Sequence, residues 1–257
     1  MRHVPLLVTA FSLLLSVTLP AAPAAAQVLQ GDEALYTQST GFLANHPDLK
    51  FRLLGMEAYE EKRYDDAMRL FRRASFYADK GSQGMVAEML WNGEGAPKNR
   101  PLAYAWMDLA SERGYRGFLG LRERYWKDLS PDERKAAIEQ GQAVYARFGD
   151  AAAKPRYEAQ LRQGRRNIAG SRTGFSGGVK ILVPGPGGMQ TIEGSKFYDE
   201  RYWDAQQYWA WNDSIWMEPA IGRVDVGSVE TVREPLPSRI PETAPEADAP
   251  EPPISGE

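Results

Sequence analysis

Few residues in this chain have the type and spacing for catalysis. Its 257 residues include no Cys and only two His, His3 and His46. The absence of Cys excludes disulfides, thiol nucleophiles and Cys-ligated zinc. His3 lies in an N-terminal leader described below. His46 is then left alone, which excludes a multi-His metal site and leaves little for general base catalysis near neutral pH. His46 stands in Asn45-His46-Pro47, just before a helix start, where a capping or surface role is expected. A Ser/His/Asp hydrolase would need a sharp Gly-x-Ser-x-Gly turn beside it, and the sequence has none. Paired acids occur at Glu60 and Glu61, Asp65 and Asp66, and Asp199 and Glu200. Adjacent acids on a helix point apart, and these read as turns or first turns, where the helix dipole favours negative charge. Gly185-Pro186-Gly187-Gly188 lacks the Lys-Ser/Thr of a phosphate loop and reads as a hairpin turn. Two carboxylates distant in sequence would still suffice for a cell-wall glycosidase, which stands as the third reading. The expectation is no catalytic residue, no cofactor and no metal.

Aromatic stacking is the other chemistry on offer. Phe197, Tyr198, Tyr202, Trp203, Tyr208, Trp209, Trp211 and Trp216 crowd one stretch. Tyr198, Tyr202, Ala205 and Trp209 are spaced four, three and four, a helical stripe. Such a stripe either packs inward and closes the helical body, or exposes a platform for glycan or peptide. In the second case Trp203, Trp209, Trp211 and Trp216 carry it.

The elements that would position these groups are mainly helical. Phe51, Leu54 and Gly55 share one helix face, and Ala67, Leu70, Phe71 and Ala74 another. Lys62-Arg63-Tyr64-Asp65 turns the chain between them. Small residues at Gly55, Ala67 and Ala74 let the two helices approach closely. Ala103, Trp106, Met107 and Ala110 echo Ala67, Leu70, Phe71 and Ala74 about 36 residues on. Val86, Ala87 and Leu90 form the preceding helix, and the turn-rich stretch 92–99 is an inserted loop. Ser130-Pro131-Asp132-Glu133 is a helix start with Ser as N-cap, for a helix running to Phe148 and stopping at Gly149. With a helix around Phe118 to Trp126 it makes a degenerate third pair. A further helix is expected over 155–167.

The first pair resembles a tetratricopeptide repeat. The second, on Gly93, Gly95, Ala103, Trp106, Ala110, Ser111 and Gly114, resembles a Sel1-like repeat. It departs from that pattern at Ala87, Leu90 and Ser111, where Gly, Tyr and Ala are usual. The resemblance implies a short TPR/Sel1-like helical-hairpin solenoid that docks other proteins. It also implies partner-binding positions on the first helices of the pairs: Arg52, Glu57, Glu88 and Asn92, read as exposed.

Beyond 167 the chain is Gly-punctuated. Strands are expected at 179–183 and 189–193, with a third at 223–229. From 234 the chain carries seven Pro and six acids against one Arg, and reads as a disordered acidic tail. The net charge of −3 belongs to that tail, since the rest of the chain is close to neutral, which argues against a nucleic-acid partner. The N-terminus has a basic start, an apolar run ending at Pro20, and Ala24-Ala25-Ala26. It reads as a signal peptide cut after Ala26, giving a periplasmic or secreted protein with no membrane span after cleavage. The expected organisation is a signal peptide at 1–26, helical repeats at 47–150, a small β/aromatic extension at 151–233 and a tail at 234–257. The expected role is an exported scaffold binding another protein or peptide. A glycan- or peptidoglycan-binding module built on the aromatic cluster is the alternative.

Overall fold

Small residues decide how the central helices meet. The computed structural model describes residues 32–167, 180–185, 188–217 and 236–246. α1 (Asp32–Thr37) and α2 (Thr40–Leu43) precede the first expected pair. That pair is α3 (Pro47–Glu60) and α4 (Tyr64–Ser75), which pack together across a three-residue turn. A Cβ on Gly55 would lie 2.7 Å from the Phe71 ring, so glycine lets the helices close to this distance. Ala67 and Ala74 are fully buried. α5 (Lys80–Asn92) and α6 (Arg100–Ala110) form the second pair, and α4 packs on α5 to join the two. Asp79 caps α5 by accepting from the Ser82 amide, and Asn99 caps α6 by accepting from the Leu102 amide. The intervening loop turns at Gly93 and Gly95, with φ of 82° and 69°. Gly95 also lies against the Tyr64 carbonyl, 2.3 Å from where a Cβ would stand, so no side chain fits there.

The third pair departs from this pattern. α7 (Arg116–Asp128) and α8 (Pro131–Phe148) both pack on α6. α8 opens with the expected capping box of Ser130 and Glu133 and ends before Gly149. α9 (Asp150–Asn167) starts five residues earlier than the sequence suggests and contains Pro155. One apolar core runs from Phe71 through Met85, Leu90 and Trp106 to Val144 and Phe148.

The end of the chain returns to its beginning. β1 (Lys180–Gly185) and β2 (Gly188–Glu193) pair antiparallel with Ile181 opposite Ile192. Then come α10 (Gly194–Phe197), α11 (Glu200–Trp203) and α12 (Ala205–Met217). Val183, Ile192, Phe197, Tyr202 and Trp203 make one apolar cluster with Tyr36, Phe42 and Leu49. The mainly helical class with a small two-stranded sheet is therefore the fold of the described residues. The leader at 1–26, with its cut after Ala26, and the expected strand at 223–229 lie outside them. No helix among the described residues is long and apolar enough to cross a membrane.

The disorder expected over 234–257 does not hold at 236–246. That segment lies across α6, α7 and α8, with Ile240 inside the central core cluster. Composition averages over a segment. Here a single Ile and a single Arg meet sites shaped for them, and the average hides both.

Candidate functional site: the groove across α6, α7 and α8

α6 presents Asp108, which is fully buried, toward the space between α7 and α8. Tyr145 of α8 donates to its Oδ2 at 3.0 Å, and the Ser238 hydroxyl donates to the same oxygen. Arg122 of α7 stands 3.5 Å from Oδ1. Burial pushes the Asp108 carboxyl above its ordinary range, while Ser238, Arg122 and Tyr145 pull it back. Arg122 is itself buried. It reaches the Leu236 carbonyl at 2.7 Å, the Ser111 hydroxyl at 3.3 Å and Glu123 at 2.9 Å.

Glu123 holds the second anchor. Arg239 donates to its two oxygens at 2.9 and 2.6 Å, a bidentate pair, and lies over the Trp126 ring at 4.8 Å. This pairing holds Glu123 below the usual carboxylate range. The third anchor is a notch in α8. Gly141 leaves room for Ile240, whose Cδ1 lies 2.3 Å from where a Cβ on residue 141 would stand. Farther along, the Glu246 amide donates to the Ala146 carbonyl at 2.8 Å. A recess of about 970 Å³ remains beside the segment, walled by Asp108, Glu112, Arg113, Arg122 and Tyr145. Its floor is braced by Lys80, fully buried between Glu112 and Asp150, and by Arg113 paired to Asp150 at 2.7 Å. The groove thus reads a carbonyl, a hydroxyl, a guanidinium and an aliphatic side chain in sequence order. That is the chemistry of extended-peptide recognition.

The positions suggested by the repeat resemblance differ in exposure. Arg52 is buried rather than exposed: it donates to Asp79 at 2.7 Å and so ties α3 to the cap of α5. A long cation on an inner face needs a counter-charge, and the Asp79 cap supplies it. Glu88 is half-buried, and burial together with the Glu94 charge raises its carboxyl to about 7. Glu57 and Asn92 are exposed.

The aromatic platform is not formed either. Trp203 and Trp209 are buried, and Trp203 donates to the Phe197 carbonyl at 2.7 Å. Trp211, half-buried, packs on Tyr202 and Tyr208. Trp216 lies against Tyr115, Phe118 and the Gly81 backbone. The four rings pack among three different apolar clusters, Trp211 and Trp216 half-buried at the edges. Of the stripe, Tyr202 and Trp209 are buried, as inward packing expects.

His46 also departs from expectation. It is fully buried and lies flat on Phe42, with Nδ1 2.9 Å from the Phe42 carbonyl and Nε2 2.8 Å from the Tyr202 carbonyl; as a neutral ring it donates to one of them at a time. It makes no side-chain cap to α3. Burial lowers its pKa to about 4.

Sequence reasoning missed Asp108, Arg122, Glu123, Gly141, Ser238, Arg239 and Ile240. Two signals were present. Gly141 is an isolated glycine inside a strong helical pattern, which marks a close approach. Arg239 and Ile240 are the lone cation and a rare aliphatic in the acidic, Pro-rich stretch. Comparison with protein families, curated proteins and solved structures finds no match to this chain.

Proposed function

We propose that this chain is an exported helical-repeat scaffold that docks another protein through an extended peptide. The observation that carries the reading is the groove across α6, α7 and α8, which holds the segment 236–246, free of helix and strand and bent at Arg239 and Ile240, by side-chain-specific contacts. The TPR/Sel1-like resemblance of α3–α4 and α5–α6 supports it, since stacked small-residue hairpins build surfaces of this kind. The groove carboxylates support docking over chemistry: Asp108 is engaged by Ser238, Tyr145 and Arg122, and Glu123 by Arg239. Export rests on the leader at 1–26. The burial of Trp203 and Trp209 weighs against the glycan-binding alternative.

Two measurements test this. Fractionation with N-terminal sequencing is expected to place the protein outside the cytoplasm with Gln27 first; retention of the leader in a cytoplasmic product contradicts export. A photo-cross-linking residue at Leu119, on the rim of the recess, is expected to capture a distinct protein in living cells. Probes at Glu57 and Asn92 test the other exposed repeat positions. Silence at all three ends the scaffold reading.

A further inference from the structure

The segment in the groove leaves most of itself in water. Leu236, Pro237, Ser238, Pro241 and Glu242 are exposed, while Ile240 is buried. Its hold includes one aliphatic anchor, one bidentate ion pair whose guanidinium also lies over Trp126 and reaches the Tyr104 hydroxyl, one hydroxyl and two hydrogen bonds to its backbone. The recess of about 970 Å³ beside it is walled in part by the segment's own Leu236, Pro237 and Pro241. The segment forms about half of the wall in all, so the recess lies between it and the helices. Each of Ser238, Arg239 and Ile240 nevertheless has its own partner, so the contact set reads side-chain order.

We propose that the groove is a receptor for an extended peptide of another protein, carrying a hydroxyl, an Arg and a branched aliphatic followed by Pro, and that residues 236–246 hold the site in cis until displaced. This rests on the docking reading above and names its ligand. The hydroxyl goes to Asp108, the guanidinium to Glu123, the aliphatic to the Gly141 notch and the preceding carbonyl to Arg122. An acidic residue in the Arg position would face Glu123 with like charge. A second copy exchanging this segment would make the same contacts and leave the recess unused, so a partner with more to bury fits better. Tethering gives the cis segment an effective concentration on the order of millimolar, so a free peptide competes poorly while it is seated.

The test uses the full chain and a labelled peptide of residues 234–246. Ile240→Asp in the chain puts a charge into the apolar notch and frees the groove. The I240D chain is expected to bind the peptide at least ten-fold more tightly than the wild-type chain. Arg239→Glu in the peptide is expected to remove that binding. Gly141→Ala provides a second, independent arm, because alanine favours the helix while its Cβ fills the notch. The G141A chain is expected to show faster hydrogen exchange at 236–246 yet to gain no affinity for the wild-type peptide. It should instead bind better a peptide with Ile240→Ala. Three results overturn the proposal: equal weak binding by I240D and wild type although 236–246 exchanges freely in I240D; loss of the helical fold in both I240D and G141A; or a wild-type dimer that the peptide splits, which would make a second copy the occupant. If the peptide fails while cross-links persist at Glu57 or Asn92, docking stands and this ligand alone is lost.

Discussion

The molecule holds buried polar groups in two places and covers them in opposite ways. Around the start of α3, His46 and Asp48 are enclosed by Phe42, Tyr202, Trp203 and Tyr208. Neither has a close ion-pair partner among the described residues, and burial moves both toward the neutral form: His46 down to about 4, and Asp48 up to about 7 with help from the Asp79 charge. Around α6–α8, Asp108, Arg122 and Glu123 stay charged or hydrogen-bonded, and the cover is a narrow segment that is mostly exposed. An aromatic seal removes charge and closes the region for good. A segment resting on ion pairs leaves a surface that can be uncovered.

The sharpest way to break this contrast is to cut into the seal. Trp203→Ala removes a buried indole and its hydrogen bond to Phe197 and is expected to cost about 3–5 kcal/mol in urea unfolding. A cost under about 1 kcal/mol would mean that the aromatic lobe is as loosely held as the groove cover. The hairpins between the two regions come next. Ala103 is fully buried, so Ala103→Leu is expected to destabilise by about 1–3 kcal/mol. An unchanged melting temperature would refute the close packing of α5 on α6.

Acid separates the two titrating groups of the seal. The lowered pKa of His46 contributes stability that is present above about 6.5 and lost as pH falls through about 4. The raised pKa of Asp48 contributes stability that is present below 3.8 and lost as pH rises through about 7. Between pH 4 and 6.5 the two oppose each other, so the wild-type dependence is expected to be shallow there. Relative to wild type, Asp48→Asn should lose stability on acidification across this window and His46→Gln should gain it. Neither slope should exceed about 1.4 kcal/mol per pH unit. Parallel slopes in the two variants would contradict the opposed burial of the pair.

The smallest effect belongs to the cover. Ile240→Ala deletes a buried aliphatic, yet the segment can lift away without unfolding the helices beneath it. Its global cost is expected to stay under about 1 kcal/mol, with faster amide exchange confined to 236–246. A loss comparable to that of Ala103→Leu would make the segment an integral part of the core.

The two regions also differ in how far the sequence foretells them. The hairpins are local: Gly55 facing Phe71, the Asn99 cap and the Ser130–Glu133 capping box sit within a few turns of one another, and periodicity exposes them. The groove depends on pairs more than a hundred residues apart, such as Glu123 with Arg239 and Asp108 with Ser238, and no periodicity spans that distance. Arg52 was misplaced, and the four Trp were left open between core and surface, for a related reason. Residue type says that a cation or an indole can face a partner, but only packing shows whether that partner lies inside the chain.

The contact between His46 and the Tyr202 carbonyl joins positions 156 residues apart. A ribosome must therefore finish most of the polypeptide before α3 acquires its lid. Until then Phe42, Leu49 and the imidazole stand open to water while the two hairpins can already assemble from nearby segments. This order makes closure of the aromatic lobe the expected late event in maturation, and truncation anywhere before Trp209 would leave a nascent product with a sticky, unfinished face.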